Sequence, residues 1–378
     1  MTPLPAPAAC SPWPRSTLLA RNPDAKLSLY GQEYNPQSYA ICKSDLLAKG
    51  HDATNIAFGN TLTDDAFKGR QFDYCMSNPP YGVDWKQYAK AVKEERDSAG
   101  PYGRFAPGLP ATSDGQMLFL LHLAHKMRAP EDGGGRVGII MNGSPLFNGA
   151  AESGPSNIRK WLLENDLVEA IVALPTNMFF NTGIATYIWI LDNTKHPDRQ
   201  GKVQLIDGTS FWTRMRPSLG SKNREISDDD RAKIVQLYAD FEEADPDLSK
   251  VLKSNEFGYW NIAVERPLME DGKPVVDRKG NPKPDSKKRD TENVPFTYGD
   301  STAGAEAERE VIQAYFDAEV KPHVRDAWID WAKTKIGYEI PFTRHFYRYV
   351  PPRPLAEIDA DLEKQVAKIL DLLREVEQ

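Results

Sequence analysis

Phe72-Asp73-Tyr74-Cys75-Met76-Ser77-Asn78-Pro79-Pro80-Tyr81-Gly82 is the stretch that decides the fold of this chain. Phe72 to Met76 is a short apolar run suited to a strand. It ends at two prolines, which cannot donate to a ladder and which push the residue before them out of the helical region. A strand broken at its carboxyl end by a stiff turn places Asn78 and Tyr81 above a sheet edge, where open α/β sheets bind their ligands.

The chemistry such a turn offers is narrow. An exocyclic amine on a base is a poor nucleophile, because its lone pair is delocalised into the ring. Two acceptors held against its N–H groups draw the nitrogen toward a tetrahedral, reactive state, and the Asn78 side-chain oxygen and the Pro79 carbonyl form such a pair. Pro80 stiffens the corner, and Tyr81 offers a flat face to a base rotated out of its stack. The alternative is a rigid surface turn without chemistry, which four residues alone do not exclude.

Upstream, residues 1–17 are rich in proline and alanine without a helical or strand period and are expected to be unfolded. Leu18 to Arg21 reads as the end of a helix and Lys26 to Tyr30 as a short strand, with Glu33 at its carboxyl end. A carboxylate there either accepts both hydroxyls of a ribose or favours the start of the helix opened by Asn35-Pro36. That helix should bury Tyr39, Ile41, Leu46 and Leu47. Ile56 to Phe58 is the next strand, and Asn60 in its end loop bonds either a nucleobase or its own backbone.

Downstream, Asp84 to Ser113 is polar and glycine-rich, with Lys86, Lys90, Lys93, Arg96 and Arg104 set among Trp85, Tyr88, Tyr102 and Phe105. As a long loop it is either a flap facing nucleic acid or a solvated connection. Ser113-Asp114 is expected to cap a helix with Met117, Leu118, Leu120, Leu121 and Met127 on its apolar face, and with His122 and His125 on its surface. Strands over 136–141, 167–174, 185–191 and 202–206, with a helix over 157–164, indicate a mainly parallel sheet covered on both faces. In the loop Pro175 to Gly183, at least one of the adjacent rings Phe179 and Phe180 should be buried; the other either faces a ligand or packs in the core, and core packing is the default for each ring taken alone.

From residue 214 the pattern changes. A charged helix over Asp228–Glu243 is followed by a lysine- and proline-rich excursion, 271–290, expected to be flexible. Val311–Tyr315 and Trp328–Ala332 read as helical, and Tyr338–Tyr349 as aromatic and extended. The closing helix carries Leu355, Ile358, Leu362, Val366, Ile369, Leu373 and Val376 at threes and fours, a narrow seam that suits either a partner helix or its own domain. The division expected is 18–213 as a partial catalytic core, 214–354 as a mixed or helical region and 355–378 as a docking helix.

At 378 residues the chain has room for two or three domains. No apolar run approaches the roughly 20 residues of a membrane span, and no signal peptide opens the sequence, so a cytoplasmic location without membrane partners is expected. Three cysteines, Cys10, Cys42 and Cys75, and six histidines show no ligand spacing, and no metal is expected. A formal charge of -7 argues against a chain that grips nucleic acid unaided. If DNA is the substrate, a partner should supply basic surface.

In ordered series, LYGQEYNP (29–36), FDYCMSNPPYGVDW (72–85), SDGQMLFLLH (113–122), VGIIMNGSPLFNG (137–149), SNIRKWLLENDLVEAIVALPTNMFFNTGIATYIWIL (156–191), GKVQLIDGTSFW (201–212) and KIGYEIPFTRHFYRYVPPRPLAEID (335–359) resemble the modification subunit of type I restriction-modification systems. The resemblance covers nearly everything after Leu18. It implies an α/β fold with a Rossmann-like methyltransferase sheet and a mainly helical carboxyl-terminal region. It also implies S-adenosylmethionine as methyl donor, a flipped adenine in DNA as acceptor, and assembly with a specificity subunit that a restriction and translocase subunit can join. Asn78, Pro79 and Tyr81 match the target-amine motif, Glu33 the acidic residue that takes the cofactor ribose, and Phe179 and Phe180 the aromatic loop near the flipped base. Asn60 stands where such methyltransferases commonly have an acidic residue against the cofactor adenine.

One departure stands out. The family carries, ahead of this point, a helical domain and a glycine-rich turn of the form Asp-Pro-x-x-Gly-x-Gly, where this chain has Pro5 to Pro14 in a proline-alanine run. The expectation is a sheet incomplete on its amino-terminal side, an amino terminus replaced through a frame change or misplaced start, and weak or no binding of S-adenosylmethionine by this chain alone. Two other functions compete: a noncatalytic fragment that binds the specificity subunit, and a protein-glutamine or RNA methyltransferase sharing the Asn-Pro-Pro-Tyr turn.

Overall fold

The computed structural model describes residues 22–24, 26–180, 182–299, 304–349 and 351–376. The segment 1–17 and the helix end expected at Leu18–Arg21 lie outside the described residues. The described part divides at residue 342 into two compact units.

The first unit opens with a small parallel sheet of β1 (Gly31–Glu33) and β2 (Ile56–Phe58), joined by the helix Pro36–Ala48. Asn35 caps that helix by accepting from the N–H groups of Gln37 and Ser38, and Pro36 sits in its first turn, where no partner for an N–H is lost. Two expectations fail here. The strand forms at Gly31–Glu33 instead of Lys26–Tyr30, because Gly31 pairs with Ile56 while Tyr30 packs its ring edge-on against Phe67 and at a tilt against Phe72. On the helix, Cys42 and Leu46 are buried against Ala53 and Ile56, with Tyr39 packed beside them. Ile41 and Leu47 fall off that stripe and are 69% and 64% exposed.

The main sheet has six strands: β3 (Tyr74–Ser77), β4 (Arg136–Asn142), β5 (Val168–Leu174), β6 (Thr186–Asp192), β7 (Lys202–Asp207) and β10 (Ser249–Lys253), in the order β10-β7-β5-β6-β4-β3. β3 pairs parallel with β4 and β5 parallel with β7, whereas β6 runs antiparallel to both its neighbours and β10 antiparallel to β7. The sheet is therefore mixed. A loop without a helix joins β5 to β6, and a return that short permits only an antiparallel neighbour. β5 is buried along its whole length, as a strand covered on both faces must be. Four strands, β3, β4, β5 and β7, point the same way, so the loops that follow them gather along one edge.

Residues 84–113, expected as a loop, contain the helix Ala89–Ala99. Its exposed lysines hide a helical pattern, and the residues singled out as facing nucleic acid are partly the anchors of this segment. Trp85 and Phe105 are buried, and so is Arg104. The Arg104 guanidinium holds Glu95 through two oxygens at 2.5 and 2.7 Å, donates to the Thr61 and Leu62 carbonyls at 2.6 and 3.1 Å, and reaches His122 Nδ1 at 2.9 Å. His122 is thus inside the fold, not on its surface. The helix Gln116–His125 buries Met117, Leu118, Leu120 and Leu121, but Gly115 occupies its cap position with no capping side chain.

Past β7, the antiparallel pair β8 (Thr213–Leu219) and β9 (Lys222–Glu225) precedes the helix Asp228–Asp240. A three-stranded antiparallel sheet follows, with β11 (Gly258–Glu265) between β14 (Asp290–Pro295) and β15 (Trp328–Tyr338). Trp260, Ile262, Val264, Val294 and Ile329 pack there against Ile312 and Phe316 from the helical stretch beyond Gly304. The helix expected over Trp328–Ala332 is strand. A five-residue stretch is too short to show a distinguishing period, and pairing of Ile329 with Val264 settles it. Tyr338 closes that strand, and Phe342–Phe346 is a short helix instead of extended chain. The excursion 271–290 holds the return of a small hairpin, β12 (Met269–Glu270) to β13 (Lys273–Pro274), and a bridge between Val276 and Pro282.

The second unit, from Thr343, is dominated by the helix Leu355–Val376. Leu355, Leu362, Val366, Ile369, Leu370 and Leu372 on it are all more than half exposed. The side chains of Leu373 and Val376, members of the expected seam, lie outside the described residues.

Candidate active site

Ser77 is the last residue of β3 and pairs with Ile139 of β4, so the Asn78–Tyr81 turn leaves the sheet at the edge where the loops after β4, β5 and β7 also emerge. Pro79 is buried and fixes the corner, while Asn78, Pro80 and Tyr81 are half-buried. The Tyr81 hydroxyl donates to Asn78 Oδ1 at 2.7 Å. Burial pushes that phenol upward in pKa, so it stays a donor across the accessible pH range. The Pro79 carbonyl accepts no hydrogen bond from the described residues.

The loop after β5 divides its two rings. Phe179 packs toward Val172 and Leu174, and its ring meets that of Tyr81 edge-on at 6.1 Å. Phe180 is 61% exposed, with the Lys222 ammonium 4.9 Å from its centroid.

The turn is clamped from behind. Trp85 donates its backbone N–H to the Thr112 carbonyl and its indole N–H to that of Ala111 at 2.9 Å, and Gly115 donates to the Val83 carbonyl. One step on, Gln116 donates to both Asp114 oxygens and accepts from the Asn142 N–H at the end of β4, and Ser144 also donates to Asp114. These polar residues, overlooked as site components in the sequence, tie the turn after β3 to the end of β4. Their signal was present: Asp114-Gly115-Gln116 opens a helix without a conventional cap, so its polar groups had to be bonded elsewhere.

Glu33 and Asn60 lie at the carboxyl ends of β1 and β2. Glu33 is 3% exposed, and its Oε1 accepts from the Asn35 N–H at 2.7 Å. Burial raises its pKa against the opposing pull of the backbone donors Asn35 and Tyr34. Asn60 Oδ1 accepts from the Leu62 N–H at 3.0 Å, closing its own turn. Tyr34 and Tyr88 meet edge-on at 6.4 Å beside it.

A profile described as N-6 DNA Methylase matches residues 16–266. The chain belongs to the N-6 DNA methylase family. Among curated proteins, the MjaIX type I restriction enzyme methylase subunit of Methanocaldococcus jannaschii is 28% identical over 247 residues, which is 65% of this chain and 41% of that protein. The MpnII methylase subunit of Mycoplasma pneumoniae is 27% identical over 231 residues, 58% of this chain and 39% of that one. Among solved structures, the methyltransferase subunit of a type I restriction-modification system from Streptococcus thermophilus superposes with a TM-score of 0.51 at 26% identity, covering 60% of this chain and 45% of that one. The chain therefore spans less than half the length of these relatives.

Methyltransferases of this fold take the methyl group from S-adenosylmethionine, which tests Glu33 and Asn60 of this methylase-family chain. They do not fit as they stand. The carboxylate of Glu33 is enclosed and one oxygen is engaged by Asn35, and the acceptor of Asn60 is engaged by Leu62. Among the described residues no group of His, Cys, Asp or Glu could hold a metal ion, and no helix is long and apolar enough to cross a membrane.

Proposed function

We propose that this chain supplies the target-base site of a site-specific DNA adenine-N6 methyltransferase of the type I kind. The observation that carries the reading is the Asn78–Tyr81 turn. It has an open carbonyl at Pro79, an oriented amide at Asn78 and a ring at Tyr81, on the edge where four parallel-running strands end. A flipped adenine stacks on Tyr81 with Phe179 behind that ring and Phe180 nearby. Its amine donates to Asn78 Oδ1 and to the Pro79 carbonyl, which concentrates electron density on the nitrogen. For this the Tyr81 hydroxyl must share or release Asn78 Oδ1, an oxygen with two lone pairs. A bound methyl donor would supply the transferred group; the residues of this turn orient the amine and accept its two N–H groups.

S-adenosylmethionine would be the donor in this reading; Glu33 would take its ribose and Asn60 its adenine only in a state in which both have released the Asn35 and Leu62 N–H groups that engage them here. The specificity subunit that selects the DNA site docks on the helix Leu355–Val376, and a restriction and translocase subunit joins that assembly. A second reading, a noncatalytic module that binds the specificity subunit, is favoured by one observation, the engaged state of Glu33 and Asn60.

The test is transfer of labelled methyl groups from S-adenosylmethionine to duplex DNA by the chain purified with its bound partners, with the nucleosides resolved after digestion. N6-methyladenine is expected. Label on RNA or on protein glutamine, or partner binding with no label anywhere, would reject the reading in favour of one of its rivals.

A further inference from the structure

We infer that the β8–β9 hairpin is a clamp for the phosphodiester backbone of DNA beside the target base, a reading that rests on the adenine site proposed above. Between Thr213 and Glu225 the chain carries Arg214, Arg216, Lys222 and Arg224 against the single acid Glu225, although its overall charge is -7. Arg214 stands directly opposite Arg224 in the ladder. Like charges so placed repel one another. Among the described residues no carboxylate relieves them or pairs with Arg216 or Lys222, and Arg214 and Arg216 are both exposed.

Two of these cations lie over rings. The Arg224 guanidinium is 3.9 Å from the Trp212 centroid, and Lys222 shares the Phe180 face. Exposed rings interleaved with cations are the surface that single strands and unstacked bases use.

The hairpin is also fixed in place relative to the base site. Asn177 donates its amide to the Ser221 carbonyl at 3.1 Å, and its own carbonyl accepts from Asn223 and Arg224 at 3.1 and 3.3 Å. Arg224 donates to Thr176 Oγ1 at 3.1 Å. The loop thus gripped is the one that sets Phe179 against Tyr81. A spread, open row of cations without an enclosed cradle suits a repeating anion, not a free phosphate, and an extruded base requires that the flanking backbone be held.

The chain, purified with its bound partners, is titrated against a fluorescent duplex of about 30 base pairs over a salt series, a length that exceeds one helical turn. Arg214→Gln with Arg216→Gln should flatten the dependence of log affinity on log salt by about two, near 0.9 for each phosphate left without its cation. Its thermal midpoint should hold or rise, since a like-charge pair is relieved. Lys222→Gln, tested alone, should flatten the slope by about one. An unchanged slope, failure of the unaltered assembly to bind DNA, or an equal loss on duplex RNA bound more tightly than DNA would overturn the assignment. Asn78→Ala separates the two ideas: it should keep the full salt slope while losing methyl transfer. Normal transfer by Asn78→Ala, with the slope still flattened in the arginine variant, would reject the base site and leave the hairpin as a DNA-binding element.

Discussion

Asn78 and Tyr81 depend on each other, and two substitutions at Tyr81 separate the ring from the hydroxyl. Tyr81→Phe removes one neutral hydrogen bond, worth about 1 kcal/mol, and frees Asn78 Oδ1 for substrate, so methyl transfer should stay within about tenfold of normal. If a base stacks on its ring as proposed, Tyr81→Ala should cost about ten- to a hundredfold, chiefly in KM for DNA. If Asn78 accepts from the target amine as proposed, Asn78→Ala should lower kcat by about two to three orders of magnitude. Initial rates on a fixed duplex check all three. His122 makes a different prediction. Enclosure and the Arg104 guanidinium, with Lys126 and His125 adding to them and Asp65 opposing, pull it down to about 3 from 6.5. The folded protein therefore binds fewer protons than the unfolded chain between those values. Stability present above about pH 6.5 should fall as the pH drops toward 3, by up to about 1.4 kcal/mol per unit. In His122→Gln that slope should be shallower, as read from urea midpoints at several pH values.

At the scale of elements, the turn works because the segment after it is bolted down. Trp85 is 2% exposed and pins residues 83–85 to 111–115 through two of its own hydrogen bonds. Trp85→Ala should cost about 3–5 kcal/mol and loosen Asn78 with it. Urea unfolding reads the first effect, and a fall in methyl transfer below the unfolding range reads the second. The clamp also shows why the sequence was only partly legible. Strands β3 to β7 could be placed to within a residue or two, since each is a largely apolar run ended by polar or turn residues, with Glu169 and Gln204 the interior exceptions. Register and direction were less accessible: antiparallel β6 was signalled only by the lack of a helix between Leu174 and Thr186. Arg104 was misjudged because a buried arginine and a DNA-facing one look alike until Glu95, His122 and the Thr61 carbonyl are brought around it. The cations of the β8–β9 hairpin become significant only once Asn177 ties them to the Phe179 loop, a contact between distant segments that no local pattern reveals.

At the scale of the whole molecule, the two units meet different physical demands. The first buries its own core, with Trp189, Leu205 and Ile206 fully enclosed in the main sheet. The helix Leu355–Val376 instead leaves Leu362, Val366 and Ile369 at 57%, 54% and 55% exposure, in steps of four and three. An isolated helix of that length gains little stability in water from propensity alone, and an apolar stripe on it is stabilised by a second surface. If that surface belongs to a specificity subunit, Leu362→Asp with Ile369→Asp should abolish co-purification of the partner, because two buried carboxylates would face apolar side chains. The urea midpoint of the first unit should not change, since none of its core packing is touched. Retained partner binding would remove the helix from the interface, whereas a lowered midpoint would show that the stripe packs on its own protein. The same double variant bears on catalysis: with the adenine site intact but the site-selecting partner gone, methyl transfer to specific duplex should vanish while the β8–β9 contribution to salt-dependent DNA binding persists.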